Sequence, residues 1–368
     1  MSSFAKSKTS EKTSAKTSKT SAKTSKTSAK TSKTSAKTSK TYAKTSKKMT
    51  ANNVQTKRMK FFHILLDMEE LSESFSRTAY ENAANVVFNM SDEVFESISS
   101  TSPHIAAIGS KTKAKIIEFL KTGCVAEHEI LIRDAVAARE LGKIMGAGAT
   151  VVKKWIDSGI LSVEDLRDAA YNGTVVLTVM QDLGLKYYTD LQKKIPRSDV
   201  LLIYGIIMEN LRPFIKKATA ATDSQPIAEL VGSYRRGAAE SGDVDILLCL
   251  PRDHLKNATS FIGNQLKHSS AFIAEVASGV AKISVLWRHN GIVRLVEIYV
   301  CEAAEYVPHL LYLTGSARHN RYLRFLCKKA GYKLSQHGLV SANSHVILKS
   351  EKSIYKFLKI EYVPPKQR

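Results

Sequence analysis

Gly232-Ser233-Tyr234-Arg235-Arg236-Gly237-Ala238-Ala239-Glu240-Ser241-Gly242-Asp243-Val244-Asp245 runs without interruption into the apolar stretch Ile246-Leu247-Leu248-Cys249-Leu250. Residues two apart on a strand share a face, so Asp243 and Asp245 project together while Val244 and Ile246 turn inward. Two adjacent carboxylates invite hard divalent cations such as Mg²⁺, which complete their shells with water and substrate phosphates. Two such ions about 4 Å apart can hold both the attacking and the leaving oxygen of an in-line displacement. The Gly232-Ser233 corner permits close backbone approach and adds a hydroxyl, and Arg236 offers a charged fork for a triphosphate. An Asp-x-Asp alone is common. With the Gly-Ser corner upstream and an apolar strand behind it, the pattern predicts a metal-assisted nucleotidyl-transfer site.

Downstream, Ile283–Trp287 and Ile292–Val300 read as strands joined by the hairpin signal Arg288-His289-Asn290-Gly291. Alternation in the second strand puts Glu297 on the face opposite Val296 and Ile298, the natural place for a third metal carboxylate. Upstream, Asp199–Lys217 reads as a helix, and strands and helices alternate from there to the end. The final segment, Ser316–Arg368, is mixed and basic, with an aromatic-rich helix expected over Ile354–Tyr362.

From Phe61 to Leu120 the period is helical, with Phe61, Leu65, Met68 and Leu71 on one face and Tyr80, Ala84, Val87 and Phe88 on another. Ile105-Ala106-Ala107-Ile108-Gly109-Ser110 leads into a helix at Lys111–Leu120. Ile144-Met145-Gly146-Ala147-Gly148-Ala149 leads likewise into Thr150–Asp157. Each sets glycine in a tight turn before a helix N-terminus, where unpaired N–H groups can receive a DNA phosphate. Plain helix connectors look the same singly; two in one basic chain favour nucleic acid.

The formal net charge is +21, of which residues 1–50, with 14 Lys and one Glu, carry +13 and the rest +8. A surplus that survives removal of the tail points to a polyanionic partner. Residues 6–48 repeat Lys-Thr-Ser and Ala-Lys-Thr-Ser with almost no apolar side chains, so a disordered tail is expected over residues 1–56. It reads as a solvated arm adding non-specific DNA affinity, or as a linker. No Arg precedes Arg58, which fits a mitochondrial leader poorly. The longest apolar run, Val200–Met208, falls far short of the ~20 residues a membrane span needs. Cys124, Cys249, Cys301 and Cys327 have no metal-ligand spacing and read as core thiols of a reducing compartment.

Taken together, Gly232–Asp245, Gly184-Leu185-Lys186-Tyr187-Tyr188 with Lys194-Ile195-Pro196-Arg197, Leu311-Tyr312-Leu313-Thr314-Gly315-Ser316 and Ser350-Glu351-Lys352-Ser353-Ile354-Tyr355 resemble the family X DNA polymerases, over almost all of Phe61–Arg368. The resemblance implies a multidomain α and α+β chain. A small helical lyase-like domain with the first helix-hairpin-helix occupies 57–136, and a DNA-binding subdomain with the second occupies 137–198. A nucleotidyltransferase palm with a mixed β-sheet follows at 199–306, then a nucleotide-selection subdomain at 307–368, in a polymerase β-like fingers, palm and thumb arrangement. It implies gapped or nicked double-stranded DNA and deoxynucleoside triphosphates as partners, no membrane, and a monomer. Two Mg²⁺ ions, replaceable by Mn²⁺, would serve as cofactors, with a monovalent cation at the helix-hairpin-helix turns. The expected setting is intracellular: a nucleus, or the virion or host cell of a virus.

Carried over position by position, Asp243, Asp245 and Glu297 would hold the metals, and Gly232, Ser233, Arg236 and Gly242 would contact the triphosphate. Tyr312 and Gly315 would line the sugar, Asn320 would reach the base edge, Arg321 would lie against the templating base and Arg324 on its strand. Gly109, Lys111, Gly146 and Gly148 would contact DNA. Lys115, one helical turn after Lys111, would be the nucleophile of a 5′-deoxyribose phosphate lyase, with Tyr80 at the position of a lyase-pocket tyrosine that contacts DNA; the alternative is a set of phosphate-docking lysines. Other cations expected around that pocket are replaced, since Ser76, Arg77 and Asn82 occupy its helix.

The chain departs from the family at three further points. Glu297 stands where the family has an aspartate that accepts the primer 3′-hydroxyl proton, which predicts a slow polymerase. Ala317 replaces an aspartate beside the incoming base and Leu313 an aromatic beside Tyr312, which predicts a looser base-pair pocket. The function expected is template-directed gap filling in base-excision repair, with lyase activity. The alternatives are template-independent transfer and a DNA-binding scaffold with a decayed site.

Overall fold

The computed structural model describes residues 56–72, 74–219, 227–342 and 344–368. The expected disordered tail lies, but for Thr56, outside the described residues. The described residues up to Ile132 form one compact unit and those from Arg133 onward another. The division falls inside a helix, a few residues before the expected boundary at 136.

In the first unit, Thr56 caps α1 (Lys57–Leu71) by accepting from the Met59 N–H. Phe61, Leu65 and Met68 are fully buried at the predicted three- and four-residue spacing. Helix α2 (Ser74–Asn89) buries Tyr80, Ala84 and Val87. Phe88, expected inside, is 42 % exposed and covers Phe62 at the rim. The short α3 (Asp92–Glu96) supplies Phe95, which with Phe119 of α4 (Ser110–Thr122) closes on Phe61 at ring distances of 5.6 and 5.4 Å. Helix α4 ends at left-handed Gly123, and α5 (Ala126–Leu141) leads from this unit into the next.

The second unit opens with α6 (Ala149–Asp157), α7 (Val163–Tyr171), α8 (Val179–Lys186) and α9 (Tyr188–Gln192), around a core that includes Leu141, Ile144, Trp155 and Leu166. The strand pair β1 (Ile195–Pro196) and β3 (Glu240–Ser241) flanks the long α10 (Arg197–Thr219). The main sheet comprises β2 (Ile227–Leu230), β4 (Val244–Cys249), β5 (Phe272–Ser278), β6 (Lys282–His289) and β7 (Ile292–Cys301), in the order β2-β4-β7-β6-β5. Only β4 and β7 pair in parallel, which makes the sheet mixed as expected. β6 and β7 turn through Asn290 and Gly291, both at positive φ (50° and 76°), the geometry an Asn-Gly hairpin requires. β2 and β5 were not anticipated, because β2 is only four residues long and β5 is nowhere fully buried.

Period-two alternation sorts the sheet's faces. Val244, Ile246 and Leu248 join α10 and α12 (Ala258–Leu266) in the largest core, with Val285, Trp287, Val296 and Ile298. Leu247 and Cys249 face the other way, with Val231, Cys301 and Leu310. The short helix α11 (Gly232–Arg235) precedes β3, and α13 (Tyr306–Thr314) and α14 (Ala317–Lys329) follow β7. A small sheet of β8 (Lys333–Ser335), β9 (Gly338–Val340) and β10 (His345–Val346) comes next, then α15 (Glu351–Leu358). The last helix is shorter than the expected Ile354–Tyr362. Lys359 turns left-handed at φ 55°, and Tyr362 packs edge-on against Tyr355, 5.0 Å away, instead of extending the helix. Cys249, Cys301 and Cys327 are buried core thiols, but Cys124 is half-exposed.

Candidate active site

Four segments meet at one cleft of about 510 Å³. Gly232, Ser233 and Arg236 come from α11 and its C-terminal end, and Asp243 and Asp245 from the start of β4. Glu297 and Tyr299 come from β7, and Tyr312, Gly315, Asn320, Arg321 and Arg324 from α13 and α14. Leu313 and Ala317 line it too. The parallel register sets Asp245 directly beside Glu297, and alternation places both on the face away from α10. Gly242 is not a lining residue; an ideal Cβ there would lie 3.8 Å from Lys194 Nζ.

The local geometry follows from the glycines. Gly232 has φ 58°, and a Cβ there would lie 2.0 Å from Asp245 Oδ2. Only glycine lets the backbone pass the carboxylate so closely. Gly232→Ala should therefore displace either the loop or Asp245 and lower nucleotide incorporation by roughly 100-fold. Incorporation at the native rate, with the circular dichroism spectrum unchanged, would show that the turn yields. Ser233 Oγ donates to Ser241 Oγ (2.8 Å), Arg236 Nη1 to the Thr314 carbonyl (2.7 Å), and Asn320 Nδ2 to the Tyr312 carbonyl (2.7 Å). The Arg324 guanidinium stands 5.2 Å from the Tyr312 ring centre. The Gly315–Ser316 peptide is cis.

The three acids differ in what balances their charge. Burial, and then Asp243 and Glu297 close by, pushes the Asp245 carboxyl up to about 8. Asp243 is raised as well, by burial and by Glu297. Glu297 goes the other way: burial alone would raise it, but donors outweigh that and hold it below the usual carboxylate range. Its Oε1 accepts from Lys282 Nζ (2.7 Å) and Ser284 Oγ (2.9 Å), and its Oε2 from Tyr299 OH (2.6 Å). Lys282, Ser284 and Tyr299 were missed in the sequence; cross-strand pairing of β6 with β7 sets Ser284 opposite Glu297, and neither strand reveals that register alone.

A divalent cation is tested by this donor set. Asp243 and Asp245 are half-buried carboxylates set close to Glu297, beside a glycine where a side chain would collide, and they fit one. Among the described residues no three His, Cys, Asp or Glu converge as a metal-binding group, and the Glu297 oxygens are occupied by donors from this chain.

A second group lies in the first unit. Lys115 is only 8 % exposed, and its Nζ meets Glu127 Oε2 at 2.8 Å. Tyr80 OH donates to the other oxygen of Glu127 (2.8 Å), and Lys115 Nζ lies 5.8 Å from the Tyr80 ring centre. Lys111, on the same helix, is exposed. Glu127 escaped the sequence reading because it lies on the next helix.

The two glycine turns have matching backbones. Ala107 (φ 61°) and Gly146 (φ 82°) occupy the same left-handed position, and Gly109 and Gly148 start α4 and α6 without a side-chain cap. A Cβ on Gly109 or Gly148 would meet nothing within 4 Å, so the uncapped N–H groups of both helices open onto free space.

Mixed-sheet palm, flanking helical subdomains and a carboxylate-lined cleft define a polymerase β-like nucleotidyltransferase fold. Domain models match in chain order: the fingers domain of DNA polymerase lambda at 139–192, the DNA polymerase beta palm at 194–297 and the DNA polymerase beta thumb at 309–368. The chain belongs to the family X DNA polymerases. It is 28 % identical over 290 residues to rat DNA polymerase lambda, covering 72 % of this chain and 48 % of the rat protein. With DNA polymerase lambda of Arabidopsis thaliana it shares 29 % over 294 residues (72 % and 53 %), and with human DNA-directed DNA/RNA polymerase mu 25 % over 305 residues (72 % and 59 %). The chain thus spans about half the length of the curated relatives it matches. A ternary P/T complex of Leishmania infantum polymerase beta shares the fold at a TM-score of 0.57 and 23 % identity, over 64 % of this chain and 99 % of that one.

Proposed function

We propose that the chain is a template-directed DNA polymerase that fills short gaps, joining a deoxynucleoside monophosphate to a primer 3′-oxygen. The observation that carries the reading is the pair Asp243 and Asp245, negatively overloaded in the cleft that Ser233, Arg236 and Asn320 share. The two aspartates would hold Mg²⁺, or Mn²⁺ in its place, which when bound supplies positive charge to the triphosphate and to the oxygens of the displacement. Ser233 and Arg236 bind the phosphates, with Arg236 exchanging its bond to the Thr314 carbonyl for a charge-assisted one. The primer hydroxyl gives up its proton to water as its oxygen bonds to the α-phosphorus, the bond to the bridging oxygen breaks, and pyrophosphate carries away that electron pair. Tyr312 and Asn320 orient the sugar and base, and Arg321 and Arg324 the template. The uncapped helix starts at Gly109 and at Gly146–Gly148 receive DNA phosphates. The test is incorporation of a single nucleotide into gapped duplex. The native chain should insert the template-directed nucleotide; incorporation indifferent to template would favour template-independent transfer, and none would leave a DNA-binding scaffold.

The bonds of Glu297 favour that last reading in one respect. The primer hydroxyl needs a proton acceptor, and both Glu297 oxygens already accept from Lys282, Ser284 and Tyr299. The side chain's extra methylene lets it reach them. Glu297→Asp should withdraw the carboxylate toward Asp245 and raise incorporation by on the order of 10- to 100-fold. A lower or unchanged rate would mean that the site is adapted to glutamate.

In the first unit, Lys115 is the nucleophile of a deoxyribose phosphate lyase restrained by Glu127. Schiff-base formation needs the lone pair of the amine, and here Nζ donates to a carboxylate 2.8 Å away. Borohydride trapping on incised abasic DNA should therefore be weak for the native chain, roughly tenfold stronger for Glu127→Gln, and lost for Lys115→Ala. Trapping that survives Lys115→Ala would place the nucleophile elsewhere.

A further inference from the structure

Helix α14, Ala317–Lys329, contains Arg318, Arg321, Arg324, Lys328 and Lys329 and no acidic residue. It buries Leu323 and Cys327, and Asn320, Arg321 and Arg324 line the cleft. At 3.6 residues per turn, the side facing away from Leu323 and Cys327 presents Arg318, Arg321, Phe325 and Lys329, with Tyr322 at its margin. Phe325 is 54 % and Tyr322 50 % exposed, and Lys329 Nζ lies 4.6 Å from the Phe325 ring centre. Two open aromatic rings set among cations are unusual for a helix whose polar face only meets water.

We propose that Phe325 and Tyr322 form a stacking platform for bases of an unpaired DNA strand leaving the cleft, a contact beyond the nucleotide pocket itself. The inference rests on the polymerase reading for the direction of that strand. Three features select a nucleic acid as the occupant. The helix carries five cations and no acid, which suits a phosphate backbone and repels basic surfaces. The rings are about half exposed, with Lys329 over one face of Phe325, and every base has a π-face to set against the exposed part, so such platforms are tolerant of sequence. The platform is also continuous with the cleft: the turn from Arg321 to Phe325 rises ~6 Å, close to two nucleotide steps of about 3.4 Å. Arg321 then meets the templating base, Phe325 the unpaired bases beyond it, and Arg318 and Lys329 the phosphates alongside.

The test is equilibrium binding of the full chain, by fluorescence anisotropy and without nucleotide, to duplexes with a gap of several unpaired template nucleotides and to nicked duplex of equal length. The double variant Tyr322→Ala/Phe325→Ala should bind the long gap roughly tenfold more weakly and nicked duplex nearly as well as the native chain. Phe325→Trp should keep the native preference. Equal affinity of native and variant for the long gap, or the same loss on both DNAs, would overturn the platform. Because binding is read without turnover, the two readings fail separately. A gap-dependent loss in a chain that incorporates nothing retires the polymerase reading alone, whereas normal gap filling with no such loss retires the platform alone.

Discussion

Asp245→Ala should reduce nucleotide incorporation into gapped DNA by on the order of 1000-fold or more, an effect of the size seen when preorganised charge is removed from a transfer site. The same substitution should make the metal-free protein more stable. In the folded chain burial, Asp243 and Glu297 hold the Asp245 proton up to about pH 8, from an ordinary value of 3.8. The folded state therefore binds the proton more tightly than the unfolded chain does, and stability falls as pH rises from about 4 toward 8. Asp245→Asn removes that slope while keeping the side chain's shape. Incorporation and thermal melting in a metal chelator check the two halves together. A variant that still incorporates at the native rate would remove Asp245 from the chemistry, and one that melts lower at pH 7.5 would show that the carboxylate stabilises the fold. The opposition of activity and stability is expected of a site that gathers like charges for a cation to neutralise.

Arg235→Ala should cost about 3–5 kcal/mol of stability, the range for breaking a buried ion pair from one side, and lower the melting temperature by roughly 10 °C. Arg235 binds Glu229 Oε1 at 2.7 Å, Glu351 Oε2 at 2.7 Å and Thr314 Oγ1 at 2.7 Å, which ties α11 to β2, α15 and the end of α13. Arg368, its side chain fully buried, holds the other oxygen of Glu351 at 2.6 Å, and Tyr306 OH donates to Glu229 Oε2. Removing the guanidinium leaves Glu229 short of its counter-charge and frees Thr314, one residue before Gly315 in the nucleotide cleft. Arg235→Lys should recover only part of the loss, since one ammonium cannot replace a fork shared by three partners. Melting within a degree or two of native would show that water or Arg368 takes over.

The palm was legible because its residues serve two periods at once. Val244, Ile246 and Leu248 alternate with Asp245, and the same alternation in β7 separates Glu297 from Val296 and Ile298, so strand identity, core face and carboxylate face could be read together. Glycine marked the close approach at Gly232, and Asn290-Gly291 the hairpin, because each needs a positive φ. β5 was hidden: its residues are all partly exposed, its pairing with β6 shifts register twice, and nothing in it alternates cleanly. Helix α15 was overextended, because Tyr362 continues the apolar period while folding back onto Tyr355 from outside the helix.

From the sequence alone follow the residue types of the cleft, the face each carboxylate takes on its strand and the glycine corner that lets them approach, since these depend on backbone sterics within a few residues. The partners that set the charge state of each acid were decided by tertiary structure. Lys282, Ser284 and Tyr299 hold Glu297, Asp245 is crowded by Asp243 and Glu297 instead, and Glu127 engages Lys115 from a neighbouring helix. Hydrogen bonds and burial act over a few ångströms in space, whatever the separation along the chain, so the register of β6 against β7 and the packing of α4 near the start of α5 determine which carboxylate can receive a cation and which is already neutralised.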